Sequence, residues 1–299
     1  MKKKKRKLKV ALTMEEKVFN VVNIAILCLI VILTLYPLIY VVSSSFSKPF
    51  YIMTNQVWLL PKGFTVASYE ELFKKPSLWT SYGNTLLYTF AGTAFSMLLT
   101  VIASYFLSRK PKGFPFFLGF IVINMWFKAG LIPSFLNYTA LGLYNNRWAL
   151  IIGGGLDVYN CIILKSFFDS IPKELEESAI IDGANPYQVL RHIHLPLSKT
   201  AIATITVFYV VAKWNEYVWP MILLTDVKKV PLQVLLKKWI VDADLSAELA
   251  TTIITEATLV SVDSLVYTTI VVAMVPMMLL FPFVQKYFKK GVMIGSIKG

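Results

Sequence analysis

The chain has 299 residues, 56% of them hydrophobic and 16% charged, and a soluble domain of this length has no interior large enough to hide so much apolar sequence. The formal charge of +13 sits at the ends of apolar runs rather than on one basic face of a soluble unit, so it marks membrane topology and argues against nucleic-acid binding. Thiols and imidazoles offer little chemistry: Cys28 and Cys161 lie inside apolar runs, and His192 and His194 have no third ligand nearby for a metal.

A hydrocarbon core about 30 Å thick needs roughly 20 apolar residues in a helix. The first such run, 18–42, follows a basic head, Lys2-Lys3-Lys4-Lys5-Arg6-Lys7. It is too long for a signal-peptide core and has no small-x-small cleavage site, so it reads as an uncleaved first span. A long loop, 43–84, carries aromatic residues and Pro61-Lys62-Gly63, and the second run, 85–107, closes on Ser108-Arg109-Lys110-Pro111-Lys112. The third run, 114–136, is the weakest, interrupted by Lys128, Gly130 and Pro133. The fourth, 148–168, has Gly153-Gly154-Gly155 near its start, and the fifth, 201–224, contains Lys213 and Glu216. A polar loop, 225–264, with Asp226, Asp242, Asp244, Glu248 and Glu256, leads to the sixth run, 265–284. That run holds Pro276 and Pro282, which a spanning helix tolerates where neighbouring helices satisfy the freed carbonyls.

Most of the 30 lysines and arginines fall in 1–17, 108–113, 169–200 and 285–299. That bias places these segments and both termini in the cytoplasm. The expected fold is therefore all-α: a polytopic membrane protein with six transmembrane helices and a cytoplasmic helix-turn-helix. Residues 1–83 supply the basic head, first span and outer loop, and residues 84–299 the remaining core.

The inner segment 170–196 reads SIPKELEESAIIDGANPYQVLRHIHLP. Pro172 suits the first turn of a helix, with Glu174, Glu176 and Glu177 near its positive end. Gly183 fits the left-handed position past the helix end. Asn185 fits an N-cap, Pro186 the first helical position, and Gln188 the reach-back position of a capping box. Val189, Leu190 and Ile193 fall on one face of the second helix, which Pro196 ends. Such a hairpin either lies on lipid headgroups or docks a partner.

The residues themselves resemble the EAA loop of ABC-type importer permeases: Glu-Ala-Ala, three residues, Gly, nine residues, Ile-x-Leu-Pro. Here Glu177-Ser178-Ala179, Gly183 and Ile193-His194-Leu195-Pro196 keep that spacing, with Ser178 in place of the middle alanine, and Asp182 and Ala184 flank the glycine as they commonly do. Leu107-Ser108-Arg109 resembles the Leu-Ser-Arg ending common in carbohydrate permeases. The end of the chain, 282–288 and 291–299, is similar to that of the subfamily of maltose-type and lipoprotein-linked oligosaccharide permeases. The matching segments run from about residue 84 to the carboxyl end.

The resemblance implies a subunit of the bacterial plasma membrane, without catalytic residues or cofactor of its own, forming half of a channel for a sugar, expected to be an oligosaccharide. It implies three kinds of partner: a second, related permease, a homodimeric or heterodimeric cytoplasmic ATPase, and an extracytoplasmic solute-binding protein. On this reading Glu177 meets the ATPase, Ala179 permits close approach and Gly183 makes the turn, while the tail after Lys286 is a further candidate contact. The chain has no Gly-x-x-x-x-Gly-Lys-Ser/Thr loop, so ATP must bind elsewhere.

For the substrate path, the fifth run offers Trp214, Asn215, Glu216 and Tyr217 beside Tyr209 and Trp219. Lys213 and Glu216, three apart, can pair on one face; the tryptophans also fit an interfacial belt. An ion-coupled secondary transporter is the alternative, but it would leave the loop motif unexplained, and no internal repeat is visible.

Overall fold

The computed structural model describes the backbone of residues 13–127, 129–249 and 260–295, and their side chains except at 242–249 and 283–295. The basic head (residues 2–7), Lys128, Glu256 and residues 296–299 of the tail lie outside it. Every regular element among the described residues is a helix. The amino-terminal part forms α1 (Met14–Ser45), α2 (Pro49–Met53), α3 (Ala67–Lys74) and α4 (Pro76–Ser108). Next come α5 (Phe114–Trp126), α6 (Leu131–Ala140), α7 (Trp148–Ile152) and α8 (Val158–Asp169). The segment 170–196 forms α9 (Lys173–Ile181) and α10 (Pro186–Val189), which passes through a π-turn at Leu190–His194 into α11 (Leu195–Leu197). The rest is α12 (Lys199–Asn215), α13 (Val218–Leu223), α14 (Leu232–Leu249) and α15 (Val262–Gly295).

All six apolar runs form helix, but only three do so without a break. Helices α1, α4 and the Val262–Pro282 stretch of α15 are long and apolar enough to cross a membrane alone. The third run divides into α5 and α6, and α12 meets the Pro186–Leu197 segment at an angle of 83°. The fourth run departs furthest from the expected single span. Gly153 leaves α7 in an extended conformation and Gly154 has φ +61°, so the chain unwinds before α8 begins. The expected loop 225–264 also contains structure, a 3-10 turn at Val227–Lys229 followed by α14.

The chain divides into two compact units, 1–69 with 251–271 and 70–250 with 272–299. In the first, Phe46 stacks on Phe64 and Tyr69, and Ser68 donates to Ser264 at 2.9 Å. Much of α1 exposes large apolar side chains such as Ile24, Leu27, Ile30 and Leu33, a surface that lipid covers at no cost and water does not.

The second unit is built on α4. One side of this helix buries Ser81, Thr85, Thr89, Thr93, Ser96, Thr100 and Ser104, at the three- and four-residue steps that keep them on one face. Small residues let helices approach closely in lipid, where apolar burial gives no driving force between them. Ser104 donates to the Cys161 carbonyl at 2.8 Å, and Thr100 shares a 2.7 Å hydrogen bond with the Tyr209 hydroxyl. Leu164 and Phe168 of α8 pack with Ala201, Ile205 and Tyr209 of α12. Near the other end, Asn84 donates to the Lys228 and Val230 carbonyls, and Tyr88 to that of Lys229. The segment after α13 is thereby pinned to α4.

Candidate functional site

Two features of the second unit stand out: the hairpin of α9, α10 and α11, and a cavity beside α12. The hairpin turn is specified locally. The Ala184 amide donates to the Ala179 carbonyl at 2.9 Å and the Gly183 amide to Ile180 at 3.0 Å, a Schellman motif that satisfies the last carbonyls of α9. Gly183 sits at φ +82°. Asn185 Oδ1 accepts from the Gln188 amide at 2.9 Å, and Gln188 Oε1 accepts from the Asn185 amide at 2.7 Å. The capping box therefore starts α10 as its residues demand.

The turn is exposed. Glu177, Ser178, Asp182 and Gly183 face outward, Ala179, Ala184, Ile193 and Leu195 are half-buried, and Pro196 is exposed. Ser178 returns its hydroxyl to the Glu174 carbonyl at 2.7 Å. A Cβ built on Gly183 meets nothing within 4 Å, so the glycine is required by its left-handed backbone and not by crowding. Ile181 is 85% exposed, an apolar side chain at the hairpin tip.

The hairpin is tied to the membrane helices by a charged cluster. Arg109, just past α4, forms an ion pair with Glu176 of α9. His194 lies between the Tyr105 and Phe168 rings, with centroids 5.1 and 5.2 Å away, and its Nε2 is 3.6 Å from Glu176. Burial, and then the Arg109 charge, hold the His194 pKa below its ordinary 6.5. The nearby carboxylate does not reverse this, because Glu176 is already paired with Arg109. Tyr105 completes the link by donating to the Pro186 carbonyl at 3.0 Å.

The cavity has a volume of about 720 Å³ and is lined by α6, α7, α8, α12, α13 and the segments between them. The rings of Tyr138 and Trp219 pack against each other in its wall, centroids 5.4 Å apart, and Asp157, Asn160, Lys213 and Glu216 supply its polar wall. Lys213 donates to the carbonyls of Leu150 and Gly153 at 3.1 and 2.9 Å and pairs with Glu216 at 3.5 Å. It thus takes up carbonyls freed where the fourth run breaks. Among the described residues, no group of histidine, cysteine and carboxylate side chains fits a metal ion.

Residues 104–294 match the family model for the inner membrane component of binding-protein-dependent transport systems. The chain belongs to that family. The permease is 35% identical to the protein LplC of Bacillus subtilis (strain 168) over 95% of this chain and 96% of the relative. It is also 35% identical to the polygalacturonan/rhamnogalacturonan transport system permease YtcP of the same organism, over 96% of this chain and all of the relative. A crystal structure of a bacterial ABC transporter involved in importing the acidic polysaccharide alginate contains a chain that superposes with a TM-score of 0.85. That chain is 36% identical, and the match covers 94% of the permease and 100% of the neighbour.

The protein is thus a multi-pass permease subunit of an ABC importer, in which a separate ATPase hydrolyses ATP. The ion-coupled alternative has no support. Of the four residues expected along the substrate path, Glu216 lines the cavity. Trp214 is buried edge-on to Tyr82 instead. Asn215 is exposed and returns its amide to the Val211 carbonyl, and Tyr217 is 43% exposed. Neither they nor Trp214 line the cavity. Asn160, Tyr138 and Asp157 do, yet nothing local in the sequence marks them, because α6 must fold against the start of α8 before they meet.

Proposed function

We propose that this permease forms one half of a channel for an oligosaccharide and receives the closing motion of a separate ATPase through the hairpin 170–196. The observation that carries the reading is the hairpin itself. Its turn is held rigid by a Schellman motif and a capping box, its tip is exposed, and its base is ion-paired to α4 through Arg109 and Glu176. A rigid element of this kind transmits displacement, where a lipid-resting hairpin would need no such tie.

The substrate class rests on the named specificities of YtcP and of the alginate importer, both for polysaccharides. Both termini are cytoplasmic, following the lysine and arginine bias. A related permease completes the channel, and a solute-binding protein delivers the sugar. Residues 84–299 form the permease core.

The test is ATP hydrolysis in liposomes containing this chain and its partners, comparing wild type with Gly183→Asp. Loaded binding protein should stimulate wild type and not the variant. Equal stimulation of both would reduce the hairpin to a surface feature.

A further inference from the structure

Asn160 is only 6% exposed, and it lines the cavity. Its backbone amide donates to Asp157 Oδ1 at 2.8 Å as part of the α8 cap. Its side-chain amide has no hydrogen-bond partner among the described residues. The amide opens on the cavity, so it is free to exchange hydrogen bonds with whatever enters.

Four other polar groups of the wall, those of Lys213, Tyr209, Asp157 and Glu216, fall into two sets. Lys213 is committed to two carbonyls and Glu216, and the Tyr209 hydroxyl to Thr100 and the Asp157 amide. Those groups hold the wall together. Asp157 keeps one carboxylate oxygen without a hydrogen bond, and Glu216 has only its ion pair. An entering molecule therefore meets two carboxylates, one donor-and-acceptor amide, and the aromatic faces of Tyr138 and Trp219. Among the described residues that line the cavity, it meets no uncommitted cation.

We infer that this wall of the channel binds an uncharged sugar ring, with the Asn160 amide pairing with ring hydroxyls. Hydroxyls donate to carboxylates and exchange hydrogen bonds with an amide, while the apolar face of a sugar ring lies on aromatic side chains. A uronate would bring a third carboxylate beside Asp157 and Glu216 with no uncommitted cation among the described wall residues to pair with it, and like charges in a partly desolvated site repel. This deepens the proposed oligosaccharide reading and rests on it. It separates this chain from relatives named for polygalacturonan and alginate, whose sugars are acids.

The test uses the complete transporter in proteoliposomes, offered neutral xylo- and manno-oligosaccharides or oligogalacturonates and oligomannuronates of matched length. The neutral set should be taken up with ATP and the acidic set should not. Asn160→Ala should raise the half-saturating concentration of the neutral set by about fivefold, the scale of one lost hydrogen bond. If Asn160→Ala fails to reach the membrane, Asn160→Ser reads the same effect. Uptake of the acidic set as efficiently as the neutral one, or an unchanged half-saturating concentration, would overturn the assignment. Uptake of the acidic set alone would overturn it while leaving the importer reading intact. Uptake of neither, with an active ATPase, would remove the oligosaccharide reading itself.

Discussion

Arg109, just past the carboxyl end of α4, is ion-paired with Glu176 on the first helix of the hairpin, and both side chains are largely shielded from water. Shielding makes such a pair costly to break from one side, because the remaining charge keeps its desolvation without its partner. Arg109→Ala should therefore loosen the hairpin from α4 by about 1–2 kcal/mol, a range discounted for the part of the pair that solvent reaches. Transport per ATP hydrolysed should fall while basal hydrolysis persists. Arg109→Lys should recover only part, since lysine keeps the charge but not the planar fork. Coupling ratios equal to wild type in both variants would show that the pair carries no motion.

His194 yields a prediction in pH. The groups facing it are Arg109 and Tyr105 from the α4 side, Glu176 of α9 and the Phe168 ring of α8. Its folded-state pKa is lowered, first by burial and then by Arg109, so the unfolded state takes up the proton first as pH falls. Its neutral form contributes stability that is complete above the ordinary value of 6.5 and is lost as pH falls through the folded value. His194→Phe fits between the two rings without titrating. Thermal midpoints of the purified permease should fall below pH 6.5 more steeply in wild type than in His194→Phe. Parallel curves would mean that His194 is not the group responsible.

The hairpin was legible from the sequence because its stop and start signals are local. Gly183, Asn185, Pro186 and Gln188 each act on backbone groups within a few residues, and every one adopts the expected geometry. The fourth run was not legible. Its apolar residues promise one span, but three glycines permit a break whose freed carbonyls are taken by Lys213, some 60 residues away in sequence. The loop 225–264 misled for a similar reason. Its polarity is real, but Asn84 and Tyr88 of α4 hold its first residues in place.

Gly183 separates two ways in which the hairpin could fail. A side chain there meets no neighbour within 4 Å, so the cost is the left-handed backbone alone, about 1–2 kcal/mol for most residues and less for Asn and Asp. Asn and Asp share that tolerance and nearly the same shape. Gly183→Asp should abolish uptake with normal amounts in the membrane, and Gly183→Asn should retain a measurable part of it. The difference would report the added charge on the exposed hairpin turn. Equal loss in both, at normal membrane levels, would trace the defect to the backbone.

Lys213 bears on how the broken fourth run survives in a membrane. Its ammonium holds the Leu150 and Gly153 carbonyls and balances Glu216, while its stem crosses α4 at Gly92, where an added Cβ would lie 3.3 Å away. Removing it leaves two carbonyls short of a donor and one carboxylate without a counter-charge. Lys213→Met, which keeps the stem, should destabilise the permease by about 3 kcal/mol. Adding Glu216→Gln removes the stranded charge but not the unsatisfied carbonyls, so the double variant should regain part of that loss and not all of it. Unfolding of the four proteins of this cycle in detergent measures both terms. If Glu216→Gln alone is as damaging as Lys213→Met, the ion pair dominates; if the double variant regains nothing, the carbonyls do, and Lys213 acts chiefly as a backbone clamp.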